Sequence, residues 1–288
     1  MRYIKIAVAL LAVFMLASCQ KVDIGKEYGI GNIDEQTKPQ GEESGGTTII
    51  FEGGNANIDG EGAAIYEGTL SITKAGCYTL SGDLVGSVVV EVRKSEKVEL
   101  VLNGVSVSNE NGSAIYVKSA DKVTITLADE TENSFSDGET YALSEGAEPN
   151  ACIYSADDMT IRGNGSLSVY AKCRNGIQTK NDLRIKSGDI TVTAPNNALK
   201  GKDSVEISGG KITVTGADDG IKSDNETEEG RGVVTITGGN ISISCQDDGI
   251  QAYRSVEISG DARVYIDAND KKINCDGDVS VEDGCLTE

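Results

Sequence analysis

GKDSVEISGGKITVTGADDGIKSDNETEEGRGVVTITGGNISISCQDDGI, residues 201–250, contains two copies of one unit. The first copy runs Val205-Glu-Ile207, a Ser-Gly-Gly corner, then Ile212-Thr-Val214; the second runs Val234-Thr-Ile236, Thr-Gly-Gly, Ile241-Ser-Ile243. Apolar residues at alternate positions mark strands with one face turned inward. The paired glycines permit corners where a Cβ would clash. On either side, Leu183/Ile185 with Ile190/Val192 and Val256/Ile258 with Val264/Ile266 repeat the pattern.

A third run begins at RNGI (174–177), NNAL (196–199), DDGI (218–221), DDGI (247–250) and DKKI (270–273), spaced 22, 22, 29 and 23 residues apart. Looping out the polar insert Asn225–Arg231 reduces the 29 to 22. A period of that length is one coil of a solenoid, and no helical pattern of about ten residues intervenes. Three strands per coil predict an all-β parallel β-helix of about 22 residues per turn. Ile153 and Ile115 carry the inward column back across an insert near Asp129–Asn150, and Ile65 is expected to begin it, giving roughly nine turns. The chain stops soon after Val279/Val281 without an amphipathic cap, so either the last residues fold over the open end or the sequence is truncated.

Composition agrees with many short strands: 35 Gly against 3 Pro, with Val/Ile/Thr-rich runs. The net charge is −20, and −22 without Arg2 and Lys5; a chain so acidic repels nucleic acid. The basic start, the apolar run Ile6–Ala17 and the tetrapeptide Leu16-Ala17-Ser18-Cys19 read as an export signal, too short to span a membrane. Leu-Ala-Ser-Cys resembles a bacterial lipobox, making Cys19 the lipidation site. The expected organisation is residues 1–19 signal, 20–46 a flexible acidic tether, and 47–288 the β-domain. Its setting is then the cell envelope, with the membrane contacted through the lipid alone and the chain a monomer. Six further cysteines, Cys77, Cys152, Cys173, Cys245, Cys275 and Cys285, lack zinc-site spacing, and the chain has no His. They read as small buried thiols, an even count leaving a disulfide or two open.

Repetition at a fixed period turns a motif into a column, with equivalent side chains about 4.8 Å apart. Before the Gly position stand Asn196/Asn197, Asp218/Asp219 and Asp247/Asp248. Two carboxylates at that separation repel by about 3.5 kcal/mol at an effective dielectric near 20, so something must offset them. A hard divalent cation does so with oxygen ligands, Ca2+ before Mg2+, making Asp218, Asp219, Asp247, Asp248 and Asn197 candidate ligands. Asp224, just beyond the same corner, could complete the shell. The alternative is that these residues form Asx-turns, with Lys200, Lys222 and water relieving the charge. One position after the inward residue the column reads Tyr116, Tyr154, Gln178, Lys200, Lys222, Gln251 and should face outward. Aromatic faces can stack on sugars while Lys and Gln bond carboxylates and hydroxyls, although Tyr is also a common strand residue and Trp is absent.

NGIQTKNDLRIKSG (175–188), ALKGKDSVEISGGKITVTGADDGIKSDNETEEGRG (198–232) and ISISCQDDGIQAYRSVEISG (241–260) resemble the bacterial carbohydrate-binding domain-containing proteins. The resemblance is dense from Ile153 to Ile266. It implies a right-handed parallel β-helix similar in fold to pectate lyases, calcium binding, and recognition of cellulose and polygalacturonate. By position, Asp219 and Asp248 match the family's acid before Gly, and Asp224 the acid of its K-S-D-N segment. Lys200, Gly201, Lys202 and Asp203 match its basic-glycine-lysine-acid run. Asn196/Asn197 stand where relatives often have Asp, so a metal there would be weaker or missing.

The function expected is a calcium-dependent, surface-anchored binder of acidic or neutral plant polysaccharide, and not an enzyme. One alternative is a pectate-type lyase with Lys200 or Lys222 as base; such a base needs a depressed pKa, and neighbouring aspartates act in the opposite direction. Another is an envelope adhesin or scaffold with purely structural calcium.

Overall fold

The computed structural model describes residues 46–141 and 148–287, so the export signal, Cys19 and residues 20–45 of the tether lie outside the described residues. Alternation places Val205, Ile207, Ile212 and Val214 inside at 0–1% exposure, with Val234, Ile236, Ile241 and Ile243 beside them. Each rung of such apolar residues adds roughly 1.5–3 kcal/mol per buried side chain. The Gly corners behave differently from expectation. Ser204–Ala217 and Val233–Cys245 are each one continuous strand running through the corner, their pairing slipping register between Ile207 and Lys211. Gly210 has φ +98°, and a Cβ there would lie 2.8 Å from the Gly188 carbonyl oxygen.

Two sheets result, of sixteen and ten strands. In the larger one the strand order runs Lys97–Ser108, Glu132–Ser136, Ser166–Tyr170, Asp189–Thr193, Ser204–Ala217, Asp182–Ile185, Asp158–Gly163, Lys122–Leu127 and returns to Lys97–Ser108. That circuit corrects the expected right-handed parallel β-helix with three separate ladders. The fold is all-β, with an eight-stranded parallel barrel, closed by its hydrogen-bonded connectivity, and a second sheet. The physical reason lies in the corners: glycines let Lys97–Ser108 and Ser204–Ala217 turn without ending, so each pairs on both sides and joins ladders expected to be distinct.

The ten-stranded sheet positions the functional residues. Its parallel pairing aligns Leu70, Val88, Ile115, Ile153, Ile177, Leu199, Ile221, Ile250 and Ile273. Ile65 begins this column, paired with Leu70, although through an antiparallel edge strand, Ala63–Tyr66 against Thr69–Ile72. At the other end Leu286–Thr287 still pairs with Val264–Tyr265. Cys152, Cys245 and Cys285 are buried and Cys77, Cys173 and Cys275 half-buried, all as free thiols.

Candidate metal centre and adjoining groove

The two DDGI motifs lie between long and short strands, Asp218/Asp219 before Ile221–Ser223 and Asp247/Asp248 before Ile250–Ala252. Backbone bonds lock them in register: Gly220 N–H donates to the Asp248 carbonyl (2.9 Å), Asp247 N–H to the Asp218 carbonyl (2.9 Å), and Ala198 N–H to the Asp219 carbonyl (3.1 Å). The motif glycines are needed for space. A Cβ on Gly220 would sit 2.5 Å from Ile243 Cγ2, and one on Gly249 2.2 Å from Ile266 Cγ2, so the chain at each Gly rests directly on the core. The aspartate before it is thereby held with little freedom.

Within each pair the first aspartate is exposed and the second buried: Asp219 is 3% and Asp248 2% exposed. Asp219, Asp247 and Asp248 each bring a carboxylate oxygen within 4.8 Å of the others. Lys222 Nζ donates to Asp219 Oδ2 at 2.8 Å, and Asp248 N–H to Asp219 Oδ1 at 3.3 Å. Asn274 Nδ2 donates to Asp248 Oδ2 at 2.6 Å, with Gln251 Nε2 at 3.5 Å. Asp248 Oδ1 is buried and accepts nothing among the described residues. Three carboxylates against one ammonium leave two negative charges in a small volume, and the Asp247 carboxyl is pushed above its ordinary range by desolvation and by Asp248, Asp219, Asp218 and Asp270. An all-oxygen donor set, a surplus charge of two and an orphaned buried oxygen fit a hard divalent cation such as calcium.

The remaining candidates are dispersed. Asp218 is exposed and contributes field without joining the trio. Asn197, 4% exposed, donates from Nδ2 to Asn175 Oδ1 (2.7 Å), leaving its Oδ1 buried without a partner among the described residues, one rung from Asp219. Asp224 is not brought to the trio; it pairs with Lys200 at 2.6 Å at the far end of the short strand. Pairing does align Tyr116, Tyr154, Gln178, Lys200, Lys222, Gln251 and Asn274 in one column. Yet Tyr154 is fully buried, edge-on to Tyr116 with ring centroids 5.8 Å apart, so the expectation of an outward sugar platform there is corrected. Glu148, ion-paired to Lys180 at 2.8 Å, lies beside Tyr154, whose hydroxyl pKa is raised by burial first and by that carboxylate second. Tyr116 is half-buried beneath the Lys118 ammonium, 5.9 Å from its centroid, and Gln178 is 6% exposed, accepting from Asn175 Nδ2 at 2.5 Å.

A contact that the sequence reading missed recurs three residues apart: Asn175 with Gln178, Asp219 with Lys222, Asp248 with Gln251, and Lys271 with Asn274 at 3.0 Å. It ties the motif residue to the column residue, and Lys200 departs from it by reaching Asp224. Also unforeseen is an open groove of about 360 Å³ lined by Lys222, Asp224, Glu226, Gln251, Tyr253 and Asp276 among others. Its only legible signal was the insert that carries Glu226.

The sequence model of the carbohydrate-binding domain-containing proteins matches residues 66–286. The chain belongs to this family. A carbohydrate-binding domain-containing protein of Acetivibrio thermocellus is 42% identical over 285 residues, covering 98% of this chain and 96% of that protein. Among solved structures, the gadolinium derivative of a polysaccharide lyase-like protein from C. thermocellum is 45% identical, with a TM-score of 0.81, covering 84% of this chain and 98% of that chain.

Proposed function

We propose that this carbohydrate-binding domain protein is a calcium-dependent binder of plant cell-wall polysaccharide of the polygalacturonate or cellulose type, held at the cell envelope through a lipid on Cys19. The observation that carries the calcium reading is the trio Asp219, Asp247 and Asp248, with its buried, partnerless Asp248 Oδ1 and its surplus of two negative charges. These three residues would hold the ion, which when bound supplies a hard acceptor of carboxylate oxygens from a uronate. The similar solved protein is a gadolinium derivative, and gadolinium is itself a hard, oxygen-seeking cation. Lys222, Gln251 and Asn274 orient the carboxylates on one side and line the groove on the other.

A lyase is the second reading, favoured by the polysaccharide lyase-like neighbour. Both base candidates are committed to ion pairs, Lys200 with Asp224 and Lys222 with Asp219. We therefore assign binding without catalysis. A calcium titration followed by melting temperature, with and without polygalacturonate, tests the assignment on the parent protein and on Asp219→Asn and Asp248→Asn. Retention of glycan in chelator would overturn the calcium bridge, and release of unsaturated product would restore the lyase. Loss of cooperative folding in chelator with no glycan bound at all would favour a scaffold.

A further inference from the structure

The groove beside the trio narrows the ligand. The strands Ile221–Ser223, Ile250–Ala252 and Ile273–Cys275 are three residues long, with the trio at the end where they begin. At the end where they finish, Asp224, Glu226 and Asp276 face the same groove, together with Tyr253, which is 37% exposed. Asp224 is neutralised by Lys200, whereas Glu226 and Asp276 have no ion-pair partner among the described residues.

This wall is built firmly. The insert bearing Glu226 is pinned by Asn225, whose Nδ2 donates to Asp203 Oδ1 at 2.6 Å while its Oδ1 accepts from Thr227 and Glu228 N–H. Arg254 holds the insert's Arg231 and Glu228 carbonyls at 3.0 and 3.2 Å, and Arg231 reaches Asp182 at 3.2 Å. Gly232, which follows the insert, packs so near Tyr253 that a Cβ there would lie 3.0 Å from the tyrosine Cβ. A preordered wall loses little freedom on binding.

We propose that the groove is a subsite for an uncharged sugar, adjoining the acidic sugar held at the trio. This rests on the calcium reading of the trio and extends it. Carboxylates accept strong hydrogen bonds from sugar hydroxyls, and a tyrosine face stacks on a pyranose ring. The same carboxylates repel a second uronate that has no metal beside it. Within the polygalacturonate type, the preferred ligand is thus a glycan in which a uronate neighbours a neutral or esterified sugar, above the fully ionised homopolymer.

The test is calorimetric binding of two oligogalacturonides of equal length, one fully ionised and one partly methyl-esterified, to the full chain in excess calcium. The parent should prefer the partly esterified ligand about tenfold. Glu226→Gln combined with Asp276→Asn should abolish that preference by improving the ionised ligand, with the calcium-induced rise in melting temperature unchanged, and Tyr253→Ala should weaken both ligands. If the rise is present but the ionised ligand binds as well or better, or the double variant leaves the ratio unaltered, the neutral subsite is overturned and the calcium reading stands. Absence of the rise in the parent overturns the trio assignment and with it this extension.

Discussion

Asp248→Asn should make the protein more stable in chelator and less responsive to calcium. Asp219 and Asp248 are both nearly sealed from solvent, and their carboxylate oxygens approach within 4.8 Å. At an effective dielectric near 20 that pair alone repels by about 3.5 kcal/mol. Lys222 relieves it only from the Asp219 side. Asparagine removes the charge and keeps an oxygen for Asn274, at a cost of about 1 kcal/mol for imperfect hydrogen bonding. The net relief is about 2–3 kcal/mol, which for a domain of this size raises the melting temperature by roughly 4–12 °C. With calcium at about a hundred times its dissociation constant the parent gains about 2.7 kcal/mol and the variant little, so the advantage closes or reverses. Differential scanning calorimetry at neutral pH, in chelator and in calcium, reads both effects. A variant that is less stable than the parent in chelator would refute the claim that these carboxylates are mutually strained without an ion.

Gly249→Ala forces a Cβ to 2.2 Å from Ile266 Cγ2 and should lower the melting temperature by several degrees while weakening calcium binding, through displacement of Asp248; Ile266→Ala, which removes that Cγ2, should restore part of the calcium binding in the same chain. Arg184→Ala removes the guanidinium shared by Asp158, Asp182 and Glu206, with Asp182 only 7% exposed, and should cost about 2–3 kcal/mol in urea unfolding. Glu99 is held below its ordinary pKa by the Thr126 hydroxyl first and by Arg162, so its contribution is present above the unfolded value near 4.5 and is lost as pH falls below it. Glu99→Gln should therefore lower the melting temperature by a degree or two at neutral pH, with the two proteins converging in acid.

How far the sequence carried can be judged residue by residue. Period-two alternation located the inward residues, because burial of Val205, Ile207, Ile212 and Val214 depends only on the pleat. The same alternation says nothing about whether a strand ends at a Gly-Gly corner or bends through it, and that choice made the circuit close. The motif spacing brought Asp219 and Asp248 together, since the repeat offset, lengthened to 29 residues here by the insert, becomes backbone bonds such as Gly220 to Asp248. The place of Asp224 was not legible because nearness in sequence is no guide to direction: three residues of strand set it at the opposite end from the trio. Tyr154 was misjudged because outward on a strand is not exposed where a neighbouring segment lies against it.

The column also explains why the candidate site occupies the later repeats. Toward the N-terminus its outward positions are Tyr116 and Tyr154, packed on one another, then Gln178, nearly sealed by its bond from Asn175. From Lys200 onward the positions stay half-open, and the 218–224 and 247–253 segments each bring carboxylate or aromatic groups to both ends of a three-residue strand. Short strands are what make this arrangement work, because only three residues separate the buried carboxylates of Asp219 and Asp248 from the solvated ones of the groove. A longer strand would separate the two sets of carboxylates beyond the reach of Lys222, Gln251 and Asn274, which bond the trio and line the groove.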